Sequence, residues 1–146
     1  DCGYDAFIAG IDTIVMGRKT YETILACGVA WPYPQQQTWV LTSREDLRVE
    51  HERICLWKQG LAALIAELKR PEAGNTWVVG GAELQAAFID KRALDTLEVY
   101  LMPVMLGAGI ALFPKEAIVK QTIKQVHTSL IGGTVIKHTY HFDVAP

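Results

Sequence analysis

A chain of 146 residues, half of them apolar and with a formal charge of −2, can bury a real core in one domain and is too short for two independent ones. So small a net charge gives no bulk attraction to a nucleic-acid backbone or an anionic membrane, and neither is expected as a partner. Cys2, Cys27 and Cys55 form no CxxC pair, and no apolar run approaches the roughly 20 residues needed to span a bilayer, so the cytoplasm is the expected setting.

Taken in order, Tyr4 to Ile11 reads as a short helix with Phe7, Ile8 and Ile11 on one face. Thr13 to Met16 is an apolar strand of the kind covered on both sides. Arg18 to Cys27 follows as a helix with Tyr21, Ile24 and Leu25 inward and Gly28 as its C-terminal cap. After the stiff Trp31-Pro32-Tyr33-Pro34 loop come strands at Thr38 to Leu41 and Arg53 to Trp57, joined by a polar surface stretch. Leu61, Leu64, Ile65 and Leu68 stand at helical spacing and predict an amphipathic crossover helix that stops near Pro71. Trp77 to Val79 is the next strand and Glu83 to Asp90 the next helix. This alternation predicts a parallel sheet with helices on its faces. The last third differs. Leu97, Val99 and Leu101 alternate with polar neighbours, and Lys120 to Leu130 and Thr134 to Phe142 flank Gly132-Gly133, which predicts an antiparallel hairpin with a primed turn.

Two apolar strands end in glycine and lead into helices, at Gly17-Arg18-Lys19-Thr20 and at Gly80-Gly81-Ala82-Glu83-Leu84. Free N–H groups and the positive helix end converge at such turns, and glycine admits a phosphate close to the main chain. Arg18 and Lys19 oppose the helix dipole, a conflict that a bound anion would relieve; the alternative is a solvated basic helix end. Thr42, Ser43 and Arg44 end the intervening strand on the same expected edge, where hydroxyls and a guanidinium suit a second phosphate, unless they are only a polar turn. Gly80-Gly81 suits close approach of a ligand or an unusual peptide geometry, or simply a tight turn. The G-x-G-x-x-G fingerprint of a true Rossmann domain is absent. His51, His127, His138 and His141 form no metal-ligand spacing, and no metal is expected.

These stretches resemble the dihydrofolate reductase-like superfamily, and more closely the reductase domain of bifunctional riboflavin-biosynthesis enzymes. Ile11 to Glu22 is similar to the cofactor-binding strand and helix of that group, and Val78 to Leu84 to its second nucleotide-binding turn. Leu94-Asp95, Pro103 to Gly109 and Leu112-Phe113-Pro114 resemble the segment that follows, so the likeness runs through nearly the whole chain in order. The resemblance implies a three-layer α/β fold over residues 1–146, mostly parallel with the antiparallel hairpin at its end. It implies NADPH as cofactor and hydride transfer to a small heteroaromatic substrate, pterin-like or pyrimidine-like. By matching position, Gly17, Arg18, Lys19 and Thr20 would meet the pyrophosphate and neighbouring phosphate. Thr42, Ser43 and Arg44 would meet the adenosine 2′-phosphate. Gly80, Gly81, Ala82, Glu83 and Leu84 would meet the pyrophosphate and nicotinamide side.

The Pro103 to Phe113 segment favours a reductase of a phosphoribosylamino-uracil, whereas the Gly17 to Glu22 run is nearer to the dihydrofolate reductase version. Family members normally begin with a strand and a Ser-Leu-Asp-Gly-like loop that supplies an acidic residue. Asp1, Asp5 and Asp12 do not match that loop, so no catalytic acid is named and the domain is expected to lack that strand. A third reading is therefore a nucleotide-binding or interaction module without catalysis. The apolar C-terminal strands and an open sheet edge point to a homodimer.

Overall fold

The computed structural model describes residues 2–145; Asp1 and Pro146, which the sequence-based domain limits include, lie outside the described residues. Gly3–Leu84 form one compact unit and a second begins at Gln85.

In the first unit the order is α1 (Tyr4–Ala9), β1 (Thr13–Gly17), α2 (Arg18–Ala26), β2 (Gln37–Leu41), β3 (Ile54–Trp57), α3 (Leu61–Leu68), a 3₁₀ turn at Pro71–Ala73 and β4 (Thr76–Gly80). The strands make a four-stranded parallel sheet in the order β3-β2-β1-β4. Parallel neighbours need long crossovers. Two of these carry the helices α2 and α3, and residues 42–53 make the third without a helix.

β1 is the inner strand on which the core is built. Ile14, Val15 and Met16 are fully buried, as their uninterrupted apolar run requires of a strand covered on both sides. Ile14 and Met16 cluster with Tyr21 of α2, Tyr33, Val40 of β2 and Ile54 of β3. The proline-bounded loop is packed rather than open: the Trp31 indole N–H donates to the Tyr33 carbonyl at 3.1 Å, and Trp31 stands edge-on to Tyr21. Tyr33 in turn meets Trp77 of β4, which is also met by Tyr4 and Phe7 of α1. On α3, Leu64 of the predicted stripe is fully buried, and the helix gives way at Lys69, ahead of Pro71, which cannot continue it.

The start of β4 depends on one glycine. Gly74 has φ +62°, and a Cβ there would overlap the Asp12 carboxylate, whose Oδ2 accepts the Asn75 N–H at 2.9 Å. Asn75 also accepts the N–H groups of Asp12 and Thr13, tying β4 to β1. Gly74→Ala is expected to lower stability by about 1–3 kcal/mol, through a left-handed backbone that disfavours a side chain and through displacement of Asp12. Urea unfolding checks this, as a reduced midpoint with an unchanged slope.

α4 (Ala82–Asp90) begins in the first unit and ends in the second, where β5 (Thr96–Leu101), β6 (Ile123–Ile131) and β7 (Val135–Phe142) form an antiparallel sheet in the order β5-β7-β6. The β6–β7 hairpin turns at Gly132 and Gly133, both with positive φ as a type I′ turn demands, and the Thr134 N–H closes onto the Ile131 carbonyl at 3.3 Å. β6 starts at Ile123, so Lys120 to Thr122, expected in that strand, lie outside it. The register places Leu97, Val99 and Leu101 on one face with Ile136, Tyr140, Val126 and Leu130, and puts Glu98, Tyr100 and Lys137 on the other. There Lys137 pairs with Glu98 at 3.1 Å and lies over the Tyr100 ring. His138 and His141 fall on opposite faces, beside Thr128 and Thr96 respectively.

Candidate functional site

From β1 the chain moves to β2 and then β3 on one side, and afterwards places β4 on the other side of β1. The C-terminal ends of β1 and β4 therefore flank a topological switch point, the place where open parallel sheets leave a crevice for ligands. Pairing sets Gly17 beside Leu41, Leu41 beside Trp57, and Met16 beside Gly80. All three expected segments, Gly17 to Thr20, Thr42 to Arg44 and Gly80 to Leu84, thus stand at one edge of one sheet.

The two glycine turns face each other. β4 carries one extra residue against β1, since Val15 pairs with Val78 and Met16 with Gly80, and this brings the Gly80 turn level with Gly17. A Cβ on Gly17 would lie 3.9 Å from the Gly80 carbonyl oxygen, and Cβ atoms on Gly80 and Gly81 would lie 3.6 and 3.7 Å from Thr20 Oγ1. Gly80 has φ +152°, a conformation that side-chain-bearing residues rarely adopt, and the Gly80–Gly81 peptide is cis. α2 starts directly after Gly17, and among the described residues no side-chain cap bonds its first N–H groups. α4 starts directly after Gly81, with Glu83 exposed in its first turn and Leu84 buried. The result is a narrow, donor-rich cradle with glycine walls.

Beside it stands a chain of alternating charges. Arg18 Nη1 bonds Glu22 Oε2 at 3.0 Å one turn along α2, and Glu22 Oε1 lies 3.9 Å from Arg44 Nη1. Arg44 holds Asp46 in a two-pronged pair, Nε to Oδ1 at 2.9 Å and Nη2 to Oδ2 at 2.6 Å. That bond from Arg44 holds the Asp46 carboxyl below the ordinary carboxylate range, and it pushes the guanidinium further up. Thr42 Oγ1 accepts the Arg44 N–H at 3.0 Å, which fixes the turn from which the guanidinium projects. Arg18 thus has an internal anion that moderates its conflict with the helix dipole.

A pocket of about 270 Å³ opens between the ends of β2 and β3, lined by Leu41, Thr42, Ser43, Trp57, Lys58 and Leu61. Its wall is braced by the Trp57 indole, which donates to the Gly60 carbonyl at 2.8 Å and stands edge-on to Trp39. A larger pocket, about 360 Å³, lies at the other end of α2 against Ile24, Leu25, Val29, Trp31, Arg48 and Glu50, and contains none of the expected residues.

Sequence reasoning brought the two turns and Thr42 to Arg44 together but missed Glu22, Asp46, Trp57 and Lys58. Glu22 was findable from its four-residue spacing to Arg18. Trp57 and Lys58 were not, because their place at the site depends on β3 pairing with β2. Among the described residues there is no group of three or more His, Cys, Asp or Glu side chains able to hold a metal ion, and no helix long and apolar enough to cross a membrane.

Comparison with known proteins bears on the family and the fold. The RibD C-terminal domain family matches residues 32–137. YwjB of Bacillus subtilis, an uncharacterized protein, is 35% identical over 77% of this chain, which spans 64% of that protein's length. YyaP of the same organism, also uncharacterized, is 27% identical over 98% of the chain and 80% of its own length. Among solved structures, a protein from Shewanella sp. PV-4 named for riboflavin biosynthesis superposes with TM-score 0.77 at 24% identity, covering 98% of this chain and 80% of that one. Dihydrofolate reductase from Enterococcus faecalis, complexed with NADP(H) and RAB-propyl, superposes with TM-score 0.64 at 23% identity, covering 92% and 77%. The fold is therefore dihydrofolate reductase-like.

Proposed function

The chain belongs to the RibD C-terminal domain family, and on that premise we propose that it is an NADPH-dependent reductase acting on a small heteroaromatic substrate. The observation that carries the nucleotide part is the pairing of the glycine cradle at the switch point with a guanidinium at the adjacent strand end. Gly80 and Gly81 leave room against Thr20, and Gly17 against the Gly80 carbonyl, that a Cβ would narrow, and uncapped N–H groups of α2 point at an anion placed there. Arg44, fixed by the Thr42 turn, suits a second, separate phosphate, and the neighbouring pocket lined by Trp57 and Leu61 would take the nucleobase.

Bound NADPH would supply hydride; the chain's own part is to hold and orient it. Gly17 to Thr20 and the Gly80 turn would fix the pyrophosphate, and Arg44 with Thr42 and Ser43 would take the 2′-phosphate. The segment Gly80 to Leu84 would set the nicotinamide end. The riboflavin-biosynthesis name of the Shewanella structure, with the Pro103 to Phe113 resemblance, supports a ribosylamino-pyrimidine phosphate as substrate, and the fold shared with dihydrofolate reductase keeps a pterin as the second candidate.

The test is a titration with NADPH and NADH that follows quenching of Trp31, Trp39, Trp57 and Trp77, followed by turnover assays with both substrate classes. Saturable binding with a clear preference for NADPH is expected. A folded chain that binds neither nucleotide would overturn the proposal, and binding without turnover of either class would reduce it to a nucleotide-binding module.

A further inference from the structure

We propose that Asp46 is a specificity-determining residue: it competes with the cofactor's 2′-phosphate for the Arg44 guanidinium and so limits how strongly the site prefers NADPH over NADH. This rests on the nucleotide reading above.

A guanidinium presents its donors along edges, and two parallel N–H bonds to one anion are its strongest mode. Asp46 takes the Nε/Nη2 edge of Arg44 with both carboxylate oxygens, and Glu22 stands at the remaining Nη1. One docking edge of the guanidinium is thus taken by a carboxylate, and a second carboxylate stands 3.9 Å from its Nη1. Binding a 2′-phosphate must either displace Asp46 or set a dianion beside it, and both oppose NADPH. The 2′-hydroxyl of NADH is neutral and escapes this penalty, and a carboxylate near the ribose is a ready acceptor for it. Discrimination is a difference of affinities, which a like charge lowers as surely as an opposite charge raises it.

Asp46 is free to be displaced. Its side chain is two-thirds exposed, and besides Arg44 its carboxylate bonds its own backbone N–H. Glu22 is different, because it sits on α2 and also holds Arg18. Removing the Asp46 charge therefore frees the Nε/Nη2 edge and leaves the Arg18–Glu22 pair in place.

The experiment measures dissociation constants for NADPH and NADH, by tryptophan quenching and by calorimetry, on the unaltered chain, Asp46→Asn, Arg44→Ala and the double variant. Asp46→Asn is expected to tighten NADPH by about two- to fivefold, the scale of an exposed charge pair, with NADH changed less than about twofold. In the Arg44→Ala background the same change should tighten NADPH less, since only the direct like-charge repulsion is then removed. Circular dichroism confirms that each variant is folded. If the unaltered chain binds no NADPH, the nucleotide reading itself falls. If NADPH binds and depends on Arg44, but Asp46→Asn leaves its affinity unchanged or weaker, Asp46 merely positions Arg44 and this inference is overturned.

Discussion

Arg44→Ala is expected to weaken NADPH binding by about ten- to a hundredfold while NADH binding changes little, so that the preference between the two disappears. Hydrogen bonds from a guanidinium to an anionic oxygen are among the strong ones, and a bidentate pair adds directional selectivity. Arg44 is well placed for this. Its N–H is anchored on Thr42 Oγ1, it projects from the end of β2 next to the glycine cradle, and its guanidinium already holds a carboxylate in two-pronged geometry. Arg44→Lys should recover only part of the loss, since a point charge replaces the fork. Equilibrium titration with both nucleotides checks the result, and an unchanged ratio of the two affinities in the alanine variant would remove Arg44 from the 2′-phosphate site. Unfolding should be nearly unaffected, because the ion pairs that Arg44 makes are exposed.

Tyr21→Ala should have the largest effect on stability, a loss of about 3–5 kcal/mol, as for other large aromatic truncations in a close-packed core. Tyr21 is fully buried on the inner face of α2 and belongs to the main cluster with Ile14, Met16, Tyr33, Val40 and Ile54. Its ring stands edge-on to Trp31 at 5.7 Å. Its hydroxyl donates to the Arg48 carbonyl at 2.6 Å and accepts the Glu50 N–H at 3.4 Å, so it also ties the helix-free β2–β3 crossover down onto α2. Tyr21→Phe separates the two contributions: it keeps the ring and drops the hydroxyl bonds, for an expected loss of about 1 kcal/mol. Urea unfolding measures both. Because Arg18, Thr20 and Glu22 are on the same short helix, the alanine variant should also weaken nucleotide binding, whereas a phenylalanine variant should bind as before. A loss below about 1 kcal/mol for Tyr21→Ala would mean that α2 is held chiefly by other contacts.

Much of this architecture is local in origin and therefore legible in the sequence. The uninterrupted Ile14-Val15-Met16 run announces a strand covered on both faces, and those residues are fully buried. The spacing of Leu61, Leu64, Ile65 and Leu68 gives α3 within its observed bounds, and Gly132-Gly133 places the hairpin turn because positive φ is available there without penalty. The glycine-ended strands were likewise visible as turns entering helices. Periodicity and backbone preference act over a few residues, so a sequence carries them openly.

What decides the site is longer in range. That β4 lies on the far side of β1, making a switch point of Gly17 and Gly80, follows from strand pairing rather than from any local signal. The same pairing brings Trp57 of β3 beside Leu41 to wall a pocket, and the extra residue in β4 levels the two glycine turns. Glu22 became part of the site for a related reason. It approaches Arg44 only because α2 and the β2 end are packed as neighbours, whereas Asp46 reaches Arg44 from two residues along the same loop, a spacing the sequence already carried. Sequence determined which segments could bend, cap and carry charge; tertiary structure alone decided which of them share an edge, because that depends on burying β1 between two particular strands.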